Sequence, residues 1–356
     1  MNQLFVLLAL FFNLAFGIFA PVKPPDNFDL FSCQKDDNAV SVQLQPLSVE
    51  RNQIDLALKT IREIAQKNPK ASVIYSPFST SMMLALLYPA TCGKSTVELG
   101  RFLGGESAVS TDVRAYFERA MSNLRAKPQV NAAMFVFIQR KLKVKQAYIN
   151  YIDKKYPESL NGIPIPNDME KSKKIPFMYQ KEILEFYKDE DLRYVRVPYV
   201  NGFYAEFILP KKPNGLNELL PKLNVSKCRE GKKNLTITIK LPKFKFASRH
   251  DLKPVLEKLG LSSIFNQYEA DLNNILKSGS PQLVVSDVVQ KATIEMAEWG
   301  TRASPVNADN TIDYSIGDDF FHAFQPFLFL IVSQTDSLIL FNGVVRMERD
   351  EMIVDN

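Results

Sequence analysis

Residues of the types that catalyse reactions are present in this chain, but they are not spaced for it. Its 356 residues include only two histidines, His250 and His322. No G-x-S-x-G or H-E-x-x-H pattern occurs, so neither a nucleophile elbow nor a zinc-protease helix is encoded. Gly93-Lys94-Ser95-Thr96 is half of a phosphate-binding loop. Tyr88 stands where its first glycine belongs, and an apolar helical stretch precedes it where a strand is required. Asp313, Asp318 and Asp319 lack the spacing of a calcium loop and read as loop solubility. His250-Asp251 lies just before a helical pattern, where Asp is a starting residue. Cys33, Cys92 and Cys228 fit no zinc motif and allow at most one disulfide, with one thiol left over. The expectation is a protein that is not an enzyme and holds no cofactor or metal.

The remaining chemistry concerns modification and location. Met1 to Gly17 contains an apolar run from Leu4 to Phe12 and ends in Ala15-Phe16-Gly17, the pattern of a cleaved secretory signal. No second stretch is apolar and long enough to cross a bilayer, so a secreted protein is expected. Asn224-Val225-Ser226 and Asn234-Leu235-Thr236 are then glycosylation acceptors, the second at a strand edge. Net charge is +5, with basic runs at Arg140 to Lys145, Lys171 to Lys174 and Lys227 to Lys233. Such runs read first as solvated faces, with a sulfated polysaccharide as the partner they would suit. Nucleic acid and membrane are not expected partners, and the chain reads as a monomer.

The elements that position these residues are legible in outline. Residues 18–50 read as an extended leader. Ile54, Leu58, Ile61 and Ala65 recur at helical spacing over 51–67. Val73-Ile74-Tyr75 is a short strand. Ser76-Pro77 caps and opens a helix whose body, SMMLALLY, is apolar all round and therefore buried. Thr96 to Leu103 is a further short helix stopped by Gly104-Gly105. Met134 to Ile138 is a strand, and Lys145 to Tyr156 a helix. Tyr194–Val197 and Phe203–Leu209 are strands joined by a turn at Asn201-Gly202. Leu235, Ile237, Ile239 and Leu241 alternate with polar residues, giving a half-buried strand. Leu252 to Leu259 is a helix ended by Gly260. A β-branched strand, LVVSDVVQKATIEM, begins at Leu283. About two dozen mostly polar residues then lead to the strands PFLFLIV and LILFNGVV, and a tether of that length between buried strands is usually functional. Helices first and strands later indicate an α+β class.

The C-terminal third resembles the signature of the serpins. Gln290-Lys291-Ala292, Ile294-Glu295, Gly300-Thr301, Pro326-Phe327-Leu328-Phe329 and Ile339-Leu340-Phe341 with Gly343 carry the likeness. Tyr75-Ser76-Pro77-Phe78-Ser79 resembles the family's buried shutter helix. Val197-Pro198-Tyr199, Leu241-Pro242-Lys243-Phe244 and Leu259-Gly260 match in order. The resemblance spans about Arg51 to Arg346 and implies one serpin-like domain over 51–350, with N-terminal helices on mixed β-sheets and a reactive loop at 300–325.

The same resemblance exposes departures. Fewer than twenty residues separate Tyr156-Pro157 from Ile175-Pro176-Phe177-Met178-Tyr179-Gln180, where the family has a far longer stretch. A central strand of the large sheet and its covering helix are expected to be missing, either lost from the protein or skipped with an exon. The family's shutter histidine is Gln290 here, working with Ser76, Pro77 and Ser79.

The resemblance implies a suicide-substrate loop. A serine protease attacks it, and the freed loop inserts as a new strand into the large sheet. Counting along the loop places the bond at Tyr314-Ser315, suited to an extracellular protease of chymotrypsin type. The hinge comprises Glu298, Gly300, Thr301, Ala303 and Pro305. Thr301 and Ala303 suit a buried strand, whereas Pro305 lacks a ladder N–H. Asn307 would bury an amide at a cost of roughly 1–3 kcal/mol if unsatisfied. The role the resemblance implies is that of a secreted inhibitor of an extracellular serine endopeptidase; insertion is expected to be impaired, and the alternative is a non-inhibitory carrier, decoy substrate or binding protein.

Overall fold

The computed structural model describes residues 47–105, 110–125, 143–155, 177–199, 202–272, 274–277, 282–296 and 319–346. The expected signal segment, most of the expected leader, the strand expected at Met134 to Ile138 and the whole segment 297–318 lie outside them.

Helix α1 spans Leu47–Lys67, α2 Pro77–Leu87, α3 Gly93–Gly104, α4 Ser110–Arg125 and α5 Gln146–Lys155. Helix α1 starts four residues before the helical period becomes visible, so the leader ends earlier than residue 50. Val49 is buried there, and Glu50 sits favourably in the positive first turn. In α2 the Ser76 hydroxyl accepts from the Ser79 N–H at 3.2 Å and Pro77 occupies the first turn. Every residue of α2 is buried, as its uniform apolarity demands. Helix α3 begins at Gly93 instead of Thr96, and Gly105 at φ +90° ends it.

Ten strands follow the order β1 Val73–Tyr75, β2 Phe177–Lys188, β3 Leu192–Tyr199, β4 Phe203–Pro210, β5 Lys233–Pro242, β6 Phe244–Asp251, β7 Val289–Met296, β8 Asp319–His322, β9 Phe327–Ser333 and β10 Ile339–Val345. Three short helices, α6 Leu216–Leu219, α7 Val225–Gly231 and α8 Lys253–Lys258, interrupt them. Eight strands form one mixed sheet in the order β1-β10-β9-β4-β3-β2-β5-β8, and β6 with β7 makes a second sheet. Only β5 and β8 run parallel within the large sheet, so the architecture is the α+β arrangement expected. The strand expected from Leu283 starts only at Val289. Residues 282–288 are not strand, and they are tied instead by single bonds, Val285 N–H to the Ile264 carbonyl and Leu252 N–H to the Val288 carbonyl.

Strands β9 and β10 are buried along their whole length. Such continuous runs belong to strands covered on both faces. Helices α1 and α2 pack against β10. From the second sheet, the Phe244 ring lies 6.3 Å from Phe327 and 5.8 Å from Phe329. Each such side chain contributes about 1.5–3 kcal/mol by leaving water. This three-layer core fixes the place where α2 meets β7.

Candidate functional site

One structural feature could serve function: a buried polar junction below the two-stranded sheet. The junction is built on Ser76, between β1 and α2. Its N–H donates to the Gln290 Oε1 at 2.8 Å, and Gln290 Nε2 donates to the Ser76 carbonyl at 2.8 Å and to Thr80 Oγ1 at 3.1 Å. The Ser76 hydroxyl in turn donates to the Leu340 carbonyl at 2.7 Å. One amide on β7 thus clamps the start of α2, while Ser76 ties it to β10. Pro77 and Ser79 complete the turn, with Ser79 contributing its N–H. The expected set Ser76, Pro77, Ser79 and Gln290 is therefore brought together.

Sequence reasoning missed a fifth member. His250 lies directly across the β6–β7 pair from Gln290. Its Nε2 is 2.8 Å from the Ile74 carbonyl, which can only accept, so this nitrogen carries the proton. Ser248 Oγ, two residues back, accepts the Ile74 N–H at 3.1 Å. Side chains of β6 thus satisfy the edge of β1 that no strand pairs among the described residues. The signal was the shared parity of Ser248 and His250 on one strand.

Replacing Gln290 with alanine leaves the buried Ser76 N–H without its partner. The expected result is a loss of about 1–3 kcal/mol in urea unfolding, with an unchanged denaturant slope.

The residues after Tyr156, where a strand and its covering helix are expected to be missing, lie outside the described residues up to β2. Among the described residues β7 pairs with β6 alone, and no strand lies on its other edge. Beyond Met296 the chain enters residues 297–318. Glu298, Gly300, Thr301, Ala303, Pro305, Tyr314 and Ser315 all lie outside the described residues. The chain reappears at Asp319 as β8, on the edge of the other sheet beside β5. Asp319 is thus a strand residue paired with Lys188, not loop solubility. Phe321 is buried and Phe324 lies 4.9 Å from Phe177, so these two rings anchor the chain here, whereas Phe320 is exposed.

His322 stands on this anchor with its Nε2 buried and unpartnered. Burial, with Lys240 and Arg193 nearby, holds its pKa down at about 4. Burial also lowers that of His250. Both are depressed below the unfolded value, so their stabilising contribution is complete above about pH 6.5 and is lost as pH falls below it, for His322 down to about pH 4. The melting temperature is expected to drop between pH 7 and pH 4.5. His322→Phe should reduce that drop, and an identical drop in the variant would refute the assignment.

Asn224 caps α7, its Oδ1 accepting the Lys227 N–H at 3.1 Å, and is exposed. Asn234 is exposed on β5 opposite Glu185. The basic run from Lys227 to Lys233 is largely neutralised: Lys227 pairs with Asp189, Arg229 with Glu206 and Lys232 with Glu185. Lys233 of the same run is exposed. Arg140 and Lys141 of the first run, and the whole run Lys171 to Lys174, lie outside the described residues. Cys92 is disulfide-bonded. Cys228 is free and buried, and burial pushes its thiol up to about 12, which makes it inert. Among the described residues no cluster of His, Cys, Asp and Glu could hold a metal, and no helix is long and apolar enough to cross a membrane.

The serpin (serine protease inhibitor) family profile matches residues 51–168 and 165–347. The chain belongs to the serpin family. The match comes in two segments that meet between α5 and β2. A leukocyte elastase inhibitor of Xenopus laevis is 34% identical over 196 residues, 52% of this chain and 52% of that protein. The chain spans about half the length of this and the other most similar curated relatives. A serine protease inhibitor of Rattus norvegicus is 24% identical over 85% of this chain and 90% of its own. The crystal structure of maspin superposes with a TM-score of 0.68 at 17% identity, covering 84% of this chain and 98% of that one.

Proposed function

We propose that this serpin is secreted and offers residues 301–315 to an extracellular serine endopeptidase of chymotrypsin type, with Tyr314-Ser315 as the bond presented. It engages the enzyme as a decoy substrate and is released cleaved, because among the described residues β7 offers one strand neighbour where insertion needs two. The observation that carries this reading is the single pairing of β7, whose one strand partner among the described residues is β6. Pro305, without a ladder N–H, adds to it. Secretion is supported by the apolar N-terminus and by the disulfide at Cys92, since such bonds persist in oxidising compartments.

A trapping inhibitor is the second reading. The elastase inhibitor relative favours it, and so does the intact Ser76–Gln290 junction. Mass spectrometry after brief exposure to chymotrypsin tests the first step. Cleavage at Tyr314-Ser315 is expected, with no complex surviving denaturing electrophoresis. Cleavage only elsewhere removes the bond assignment, and a surviving covalent complex selects trapping.

A further inference from the structure

Two arginines from distant parts of the chain converge on α6. Arg346 follows β10, and Ser72 fixes its backbone: the Ser72 Oγ accepts the Arg346 N–H at 2.8 Å and donates to the Arg346 carbonyl at 3.0 Å. The Arg346 side chain crosses to α6, where its Nη2 donates to Asn217 Oδ1 at 2.7 Å. From α1, Arg62 Nη2 donates to the Leu220 carbonyl at 2.9 Å. Leu220 opens the 3-10 turn Leu220–Lys222 that continues α6. Asn217 and Leu220 are three residues apart, and residues at that helical spacing are neighbours, with Cβ atoms about 5–6 Å apart. Both guanidinium groups are therefore anchored on one helical turn.

Neither has a counter-ion. Among the described residues no carboxylate pairs with Arg62 or Arg346. The acidic residues of this neighbourhood are already taken: Glu63 pairs with Lys258, Glu218 with Lys212 and Asp191 with Lys222. The Nε atoms of Arg62 and Arg346 are both buried and have no protein acceptor. Arg229 shows how this chain treats a buried guanidinium elsewhere, since Glu206 accepts from its Nε at 2.8 Å and from its Nη2 at 2.9 Å. Burial lowers the Arg346 pKa with nothing to offset it, whereas Glu206 holds that of Arg229 up.

A buried donor without an acceptor in a native fold points to a water or ion that completes it. Two cations without a neutralising carboxylate select the ion, and the planar fork of each guanidinium matches an anion that carries several oxygens. Arg62 and Arg346 are half-buried and Asn217 is exposed, so the place is open to solution.

We propose that Arg62 and Arg346, with Asn217 beside Arg346, bind a free oxyanion of the phosphate or sulfate type. The bound anion fastens α1 and the end of β10 to α6. The site lies on the folded scaffold and is independent of the loop and of the Tyr314-Ser315 assignment.

The test measures the melting temperature of the full chain in inorganic phosphate and in chloride at matched ionic strength. About 10 mM phosphate is expected to raise it by about 3 °C over chloride. Arg62→Gln with Arg346→Gln should lose most of that rise. Asn217→Asp supplies a carboxylate at the Arg346 Nη2, so it should raise the melting temperature in chloride and abolish the response to phosphate. Lys59→Gln removes a cation from the same helix that is already paired with Asp55, and should keep the response. No rise in the parent overturns the site. An equal rise in the parent and the double variant overturns it as well, because phosphate then acts on the protein generally. Should the double variant fail to fold, an undiminished response in Asn217→Asp overturns the proposal alone.

Discussion

Replacing Glu206 with alanine is expected to destabilise the chain by about 3–5 kcal/mol, the typical result of breaking a buried ion pair from one side. Glu206 is fully buried in β4. Its carboxylate accepts from Tyr194 Oη at 2.6 Å, Arg196 Nη2 at 3.1 Å, and Arg229 Nε and Nη2 at 2.8 and 2.9 Å. This one anion thus ties α7 and β3 to the sheet. Removing it strands Arg229, whose burial alone would lower the guanidinium pKa and whose carboxylate partner holds it above its ordinary value. Arg196 is better protected, since Glu185 at 2.9 Å and the Tyr204 ring at 4.1 Å remain. Most of the loss should therefore come from Arg229. The double variant Glu206→Ala with Arg229→Met should regain part of it in urea unfolding. No recovery would mean that Arg229 is not the stranded charge.

Gly343→Ala should cost about 3 kcal/mol, at the upper end of overpacking effects. Gly343 sits mid-strand in β10, opposite Phe329 on one side and Ile74 on the other. An added methyl would lie 2.5 Å from the Phe329 ring and 2.7 Å from the Val73 carbonyl. The ring could swing away only into the buried cluster with Phe244. The backbone carbonyl cannot move without breaking the β1–β10 pairing. Because β1 leads directly into Ser76, the same substitution should loosen the Ser76–Gln290 junction. Amide exchange at Ser76 is expected to accelerate in Gly343→Ala. Unchanged stability and exchange would show that the sheet absorbs the methyl.

Legibility from sequence follows the range of the interactions involved. Where the determinants are local they can be read: Ser76-Pro77 at the start of α2, the alternation of β5, the two apolar runs of β9 and β10, and Gly260 at φ +97°. Starts and ends decided by tertiary burial are not. Val49 extends α1 backwards because it finds a core, and Leu283 to Val288 have strand composition but no strand to pair with. Glu206 sits in the apolar run FYAEFILP, and its principal partner, Arg229, is more than twenty residues away on a helix, so nothing local marks it as a linchpin. In the sequence His250 invites comparison with its chain neighbour Asp251, whereas its partners lie across the sheet and on β1. The loop residues are legible only through the family resemblance, by counting from Gly300 and back from Pro326.

The central claim is that this scaffold presents a cleavable segment yet does not absorb it. Insertion of a cleaved loop adds a full strand to the sheet and releases stored strain, so it would raise the melting temperature sharply. The decisive measurement is the melting temperature of the chain before and after a single cut at Tyr314-Ser315. The account predicts no rise. A large rise after the cut would show that β7 accepts the loop as its second neighbour and would contradict the account.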